Sequence, residues 1–282
     1  MATKKSASPK KAASTTPAAQ KQPTTKVTTV KAVESRPTYK ATRTGRNTFL
    51  SKATSAPFIA AVVSEFIGAF LLAAIVIAAQ GQPILVLFGL AGIIMVIGTL
   101  SGGYANPALT IGAWATKRLT GMRAIGYIIA QVLGAMLALV LLNSFIQAST
   151  SSSSQMLGQQ ATLFKAAELT AGKEWYVFAA ELIGTAIFGF AVAAASRFVR
   201  ERVTSGLTVG LGVYTALLIG GSLAAMVGAT AILNPAVAVA LQAINFHSVW
   251  PIAIYGVASA LGAVIGFYLY DFLRRAETDT DN

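Results

Sequence analysis

Two asparagine-proline-alanine triplets, Asn106-Pro107-Ala108 and Asn234-Pro235-Ala236, and two glutamates inside long apolar runs, Glu65 and Glu181, are the residues of this chain placed for specific chemistry. That chemistry is hydrogen bonding rather than bond making. An asparagine ahead of a proline suits a helix start: its side chain can cap first-turn N–H groups, and proline at the first helical position gives up a donor that had no partner. A carboxylate in an apolar span is costly and normally faces the bundle interior. The matching places of Glu65 and Glu181 imply that each accepts hydrogen bonds from the non-helical backbone leading into its triplet, with a proton relay as the other use open to such a pair. No nucleophile, base and orienting group can be assembled from this inventory, so no catalytic residue is expected. The absence of cysteine excludes disulfides, thiolate metal sites and a cysteine nucleophile. His247, the single histidine, stands by Phe246 and Trp250 at a helix start and reads as an interfacial residue. Neither a metal nor a cofactor is expected.

The elements that position these groups are membrane spans. The 282 residues are 55% hydrophobic and 11% charged, against about 25% charged in an average soluble domain. About 20 apolar residues are needed for a helix to cross roughly 30 Å of hydrocarbon. By that measure spans lie at Pro57 to Ala79, Ile84 to Leu100, Arg123 to Ile146, Trp175 to Ala195, Gly206 to Val227 and Val249 to Phe272. Ser101 to Trp114 and Gly228 to Leu241, which contain the triplets, are apolar but too short to cross and read as half-helices dipping into the membrane.

Positive charge fixes the orientation. Most of the 22 Lys and Arg residues lie before Pro57, from Lys4 to Lys52, against the single acid Glu34. This Ser/Thr/Ala/Pro-rich stretch buries too little to fold and reads as a disordered basic arm over anionic lipid rather than a nucleic-acid binder. Lys117, Arg118 and Arg123, then Arg197, Arg200 and Arg202, then Arg274 and Arg275 fall on the arm's side, so both termini are expected in the cytoplasm. The expected organisation is a cytoplasmic tail at 1–56, a membrane-spanning domain at 57–273 and a cytoplasmic tail at 274–282. Within the domain, repeat one covers 57–146, an outer linker with the serine run Ser149 to Ser154 covers 147–174, and repeat two covers 175–273.

The halves are related. Ser64-Glu-Phe-Ile-Gly-Ala-Phe-Leu71 resembles Ala180-Glu-Leu-Ile-Gly-Thr-Ala-Ile187, and Ala105-Asn-Pro-Ala-Leu-Thr-Ile-Gly112 resembles Leu233-Asn-Pro-Ala-Val-Ala-Val-Ala240. Three spans per half make the second copy enter from the opposite side, which is an inverted repeat. The expected fold is an all-α membrane protein of six transmembrane helices and two re-entrant half-helices meeting near the midplane. Irregular backbone survives there only when buried in protein or lining a water-filled cavity.

Together with Ala130-Gln-Val-Leu-Gly134 and Ala260-Leu-Gly-Ala263, these paired motifs resemble the major intrinsic proteins, the aquaporin and glycerol-facilitator family, over about Ala60 to Asp271. The resemblance implies a passive channel for water and small neutral solutes such as glycerol, a homotetramer, and residence in the cell membrane. It implies that Asn106 and Asn234 donate to a passing oxygen while the half-helix N-termini disfavour cations. It also places an outer selectivity filter. Val237 stands where most members carry arginine, Ala231 and Ser222 follow by counting from Asn234, and Val86 by counting from Asn106. Phe88, of the pair Phe88-Gly89, competes with Val86 for its place. Val86, Ser222, Ala231 and Val237 would make a wide, mostly apolar constriction. The aspartate that glycerol facilitators tend to carry is missing, since Ala238 and Val239 follow. Two other classes stay open: an alternating-access carrier, which inverted repeats with broken helices also build, and a non-conducting scaffold.

Overall fold

The computed structural model describes residues 53, 55–150, 162–198, 200–245 and 247–280. The basic arm up to residue 52 and residues 151–161 of the outer linker, which include most of the serine run, lie outside the described residues. Among the described residues all regular structure is helical. Helices α1 (Ala56–Ala78), α2 (Pro83–Ser101), α3 (Pro107–Ala115) and α4 (Gly121–Thr150) form the first half. The second half is α5 (Glu174–Ala195), α6 (Arg202–Ala225), α7 (Pro235–Ala240) and α8, which starts at Trp250 and ends at Thr280. Six of these are long and apolar enough to cross a membrane, and α3 and α7 are the short pair.

Proline enters the first turn of α1, α2, α3 and α7, where a missing N–H leaves no hydrogen bond unmade. Gly102 ends α2 in the left-handed region at φ 99°, its N–H returning to the Gly98 carbonyl at 2.9 Å, and so frees the chain to turn back toward α3.

Helix α1 packs along α4, α5 along α8 and α2 along α6. Two of these crossings are close because the residue at the contact has no side chain. A Cβ at Gly134 would strike the Phe66 carbonyl, and one at Gly262 the Leu182 carbonyl, so the axes approach as small residues allow in membrane bundles. The outer faces keep large apolar side chains exposed, as in the row Ile125, Ile129, Leu133 and Leu137 on α4, which suits contact with lipid tails.

Two spans are not regular α-helices. Leu217–Gly221 within α6 and Ala253–Ala258 within α8 form wider π turns. In α6 the turn contains Gly220, whose Cα faces the Ala180 carbonyl and Gly184. A π turn admits one extra residue and rotates every later side chain around the axis. The last helix also continues past the expected span end at Phe272. Arg118, just beyond α3, makes a bidentate ion pair with Asp271 of α8 at 3.0 and 2.6 Å and stacks on the Phe267 ring, tying the end of the first half-helix to the end of the last span.

Candidate functional site

Each asparagine is the N-cap of its half-helix. Asn106, at φ −157° and ψ 119°, accepts from the Ala108 and Leu109 N–H groups at 2.8 and 3.5 Å. Asn234, at φ −153° and ψ 108°, accepts from Ala236 and Val237 at 3.0 and 3.3 Å. The amide nitrogens reach across the junction. Asn106 Nδ2 donates to the Leu233 carbonyl at 2.8 Å, and Asn234 Nδ2 donates to the Ala105 carbonyl at 2.9 Å. The two half-helices therefore meet tip to tip, with Pro107, Ala108 and Ala236 buried and Pro235 half-buried between them. Both N-termini, each equivalent to at most about half a positive charge, point into one small volume.

The backbone that delivers these carbonyls is strained. Ala105 and Leu233 sit at φ 46° and 58°, a region that L-residues other than Gly, Asn and Asp seldom adopt. The glutamates hold them there. Glu65 accepts from the N–H groups of Tyr104 and Ala105 at 3.0 and 2.7 Å, from Ser101 Oγ at 2.5 Å and from Gln131 Nε2 at 2.6 Å. Glu181 accepts from Ile232 N, from Leu233 N at 3.0 Å and from Ser259 Oγ at 2.8 Å. Both carboxylates are fully buried, a placement that costs several kcal/mol per charge unless hydrogen bonds compensate. Each left-handed residue is thus gripped on its N–H by a glutamate and on its carbonyl by the opposite asparagine.

Two tyrosines that the motif reading did not single out complete the pattern. Tyr127 OH donates to the Ser101 carbonyl at 3.0 Å and Tyr255 OH to the Thr230 carbonyl at 3.2 Å. Each precedes the glutamate's side-chain donor, Gln131 or Ser259, by four residues, so the signal lay in helical spacing upstream of the small-residue motifs. The second half is the sparser one. Ser259 stands for Gln131, Ala238 for Thr110, and Thr185 Oγ1 is buried with no partner among the described residues.

A cavity of about 80 Å³ opens beside the junction, lined by Asn234 and Thr230 among mostly apolar groups that include Val76, Leu90, Phe188, Val213 and Leu241. A water needs roughly 10–15 Å³ by this kind of measure, so several fit. Of the expected filter residues, Val86, Ala231 and Val237 line this cavity. Phe88 faces away, 63% exposed against 4% for Val86, because two residues further along a helix point to the opposite side. Ser222 lies off the cavity, exposed on α6, its hydroxyl turned back to the Leu218 carbonyl. A count back from Asn234 runs through residues 226–233, which are not helical, and so carries no helical register to Ser222. Leu217 lines the cavity from α6, and Phe164, from the irregular part of the outer linker before α5, also lines it. Among the described residues no group of three or more His, Asp or Glu side chains converges to hold a metal.

The family profile described as Major intrinsic protein matches residues 52–270. The chain belongs to the major intrinsic protein family. It is 29% identical over 194 residues to "Aquaporin AqpM" of Methanothermobacter thermautotrophicus, covering 66% of this chain and 73% of that protein. It is 31% identical over 238 residues to "Aquaporin NIP1-1" of Zea mays, covering 78% and 77% of the two chains. In fold it resembles the aquaglyceroporin from Plasmodium falciparum, with a TM-score of 0.61 at 18% identity, over 79% of this chain and 99% of that one. Membership and fold together make this a multi-pass membrane protein and a passive aquaporin-type channel.

Proposed function

We propose that this member of the family passes water and neutral solutes up to about the size of glycerol, through a constriction walled by Val86, Leu217, Ala231 and Val237. The observation that carries the reading is the reciprocal pairing of Asn106 and Asn234 beside an apolar cavity that Asn234 lines. A carboxamide nitrogen has two hydrogens. One on each asparagine is committed to the opposite carbonyl, which leaves the second on Asn234, at the cavity, for an oxygen in passage. A water that accepts there meets the positive ends of both half-helices, an environment that disfavours a cation or a hydrated proton in the same place.

Selectivity between neutral solutes falls to the apolar walls. With Val237 where most members carry arginine, the outer constriction has no fixed positive charge and gains the space of the longer side chain. The carbon skeleton of a small polyol suits such walls, while Thr230 and Asn234 offer polar groups to its hydroxyls. The placement of Lys117, Arg118, Arg123, Arg197, Arg200, Arg202, Arg274 and Arg275 at span ends of one side supports a cytoplasmic location for both termini. A homotetramer in the cell membrane accords with the exposed apolar helix faces.

The test is stopped-flow light scattering of liposomes carrying the purified protein. Water and glycerol permeabilities above those of protein-free liposomes, with glycerol flux linear in its gradient, are expected. Neither permeability rising above the lipid background overturns the proposal.

A further inference from the structure

The segment before α5 crosses the second half-helix as a strap. Ala166 N donates to the Leu241 carbonyl at 3.1 Å, at the end of α7, and Ala167 N donates to Thr230 Oγ1 at 3.0 Å, in the backbone leading into it. Both anchors line the pore cavity. Two residues upstream of Ala166, Phe164 lines the same cavity as Val86 and Val237. On the side of the α1–α2 turn it lies against Gly81, where a Cβ would come within 2.9 and 3.0 Å of the ring's Cζ and Cε1 atoms. Gly81 also has φ 69°, so the turn tolerates no side chain at the place the ring occupies.

Behind the ring there is room. A second cavity of about 480 Å³, bounded by Ile77, Gln80, Leu142 and Phe145, shares Phe164 as a wall. Phe164 therefore borders both spaces, with Gly81 at its ring and the strap's hydrogen bonds two and three residues on.

We infer that Phe164 is a further specificity-determining residue, the wall that closes the outer constriction on the side of the α1–α2 turn and sets the largest neutral solute that passes. The inference rests on the constriction proposed above. The four wall residues of that constriction, Val86, Leu217, Ala231 and Val237, are aliphatic, so Phe164 supplies the flat, rigid face among them, and its loss joins the pore to the space behind it. The solutes it excludes are straight-chain polyols one or two carbons longer than glycerol.

The test compares water, glycerol, erythritol and xylitol permeabilities in liposomes carrying the parent, Phe164→Ala, Phe164→Leu or Leu163→Ala, a neighbour that lines only the second cavity. Phe164→Ala is expected to raise the erythritol-to-water ratio roughly tenfold, the scale on which apolar pockets discriminate a methylene. Phe164→Leu should move the ratio the same way by less, and it decides the matter if the alanine variant loses water flux. Leu163→Ala should keep the parent's ratio; an equal shift there means that the strap rather than the ring is responsible, and overturns the inference. A parent that conducts while both Phe164 variants keep its ratio overturns this inference alone. A parent that passes neither water nor glycerol overturns the channel reading and this inference with it.

Discussion

Asn106 and Asn234 fix each other's half-helix: each donates one amide hydrogen to the carbonyl just ahead of the other, at 2.8 and 2.9 Å. Those carbonyls belong to Ala105 and Leu233, both in the left-handed region, where such strain costs about 1–3 kcal/mol per residue. Strain of that size persists only when neighbours over-determine the backbone. Asn234→Asp keeps the cap but replaces the donor with an oxygen facing the Ala105 carbonyl. The expected result is a loss of about 2–4 kcal/mol of stability, seen as lower resistance to detergent unfolding, together with reduced water flux. Asn234→Ala loses the cap as well, and a variant of either kind as stable as the parent would show the cross-junction bond to be idle.

Glu65 and Glu181 make unequal contributions by the count of their donors. Glu65 takes Ser101, Tyr104, Ala105 and Gln131, whereas Glu181 takes Ile232, Leu233 and Ser259. Replacing a carboxylate by glutamine turns an amide donor toward groups that already donate. Both Glu65→Gln and Glu181→Gln should destabilise by about 3–5 kcal/mol, with Glu65→Gln the more severe. Unfolding in mixed detergent measures the order, and equal or reversed losses contradict the donor count.

At Gly134 the tolerance for an added methyl is minimal. Its ideal Cβ position overlaps the Phe66 carbonyl on α1, a backbone atom that cannot rotate aside. Gly134→Ala should push α1 from α4 and cost about 1–3 kcal/mol, lowering the melting temperature of the detergent-solubilised protein. Gly92, with open space at its Cβ position, is the control: Gly92→Ala should leave the melting temperature unchanged or raise it.

Leu217 and Ser222 test the register of α6. Leu217 lines the cavity and Ser222 is exposed beyond the π turn. Leu217→Ala is expected to raise glycerol permeability relative to water, and Ser222→Ala to leave the ratio at the parent's value. The opposite pattern would place Ser222 rather than Leu217 at the constriction.

What could be read from residue order alone follows a physical divide. Spans, half-helices and the inverted repeat rest on long apolar runs and on duplicated motifs, and Pro57 to Ala79 or Ile84 to Leu100 differ from α1 and α2 by a residue at each end. The positions of Asn106, Asn234, Glu65 and Glu181 are local and duplicated, so their pairing followed from symmetry. Ser222 lies exposed off the cavity, and the non-helical residues 226–233 between it and Asn234 leave no mark in hydropathy that would give its facing. Val86 and Phe88 are equally apolar, and only burial separates them. Phe164 arrives from an irregular segment whose path is set by two backbone hydrogen bonds to Leu241 and Thr230, contacts that no periodicity encodes.

Val237 is the position at which a single change should convert a wide constriction into a narrow one. It follows Ala236 on α7, is 3% exposed, and lines the cavity with Val86 and Ala231. An arginine there adds a long, planar, permanently charged group with five donors, in a space walled by Leu72, Val76 and Leu90. Buried without a carboxylate partner among those residues, the guanidinium has to turn toward the cavity and its water, where it narrows the passage and adds fixed positive charge. Val237→Arg should therefore lower glycerol permeability at least tenfold, on the scale of roughly one to three kcal/mol that such pockets discriminate, while water flux falls far less. The measurement is the glycerol-to-water permeability ratio in one set of liposomes. A variant that conducts glycerol as well as the parent places the constriction elsewhere, and the walls assigned to Val86, Leu217 and Ala231 go with it.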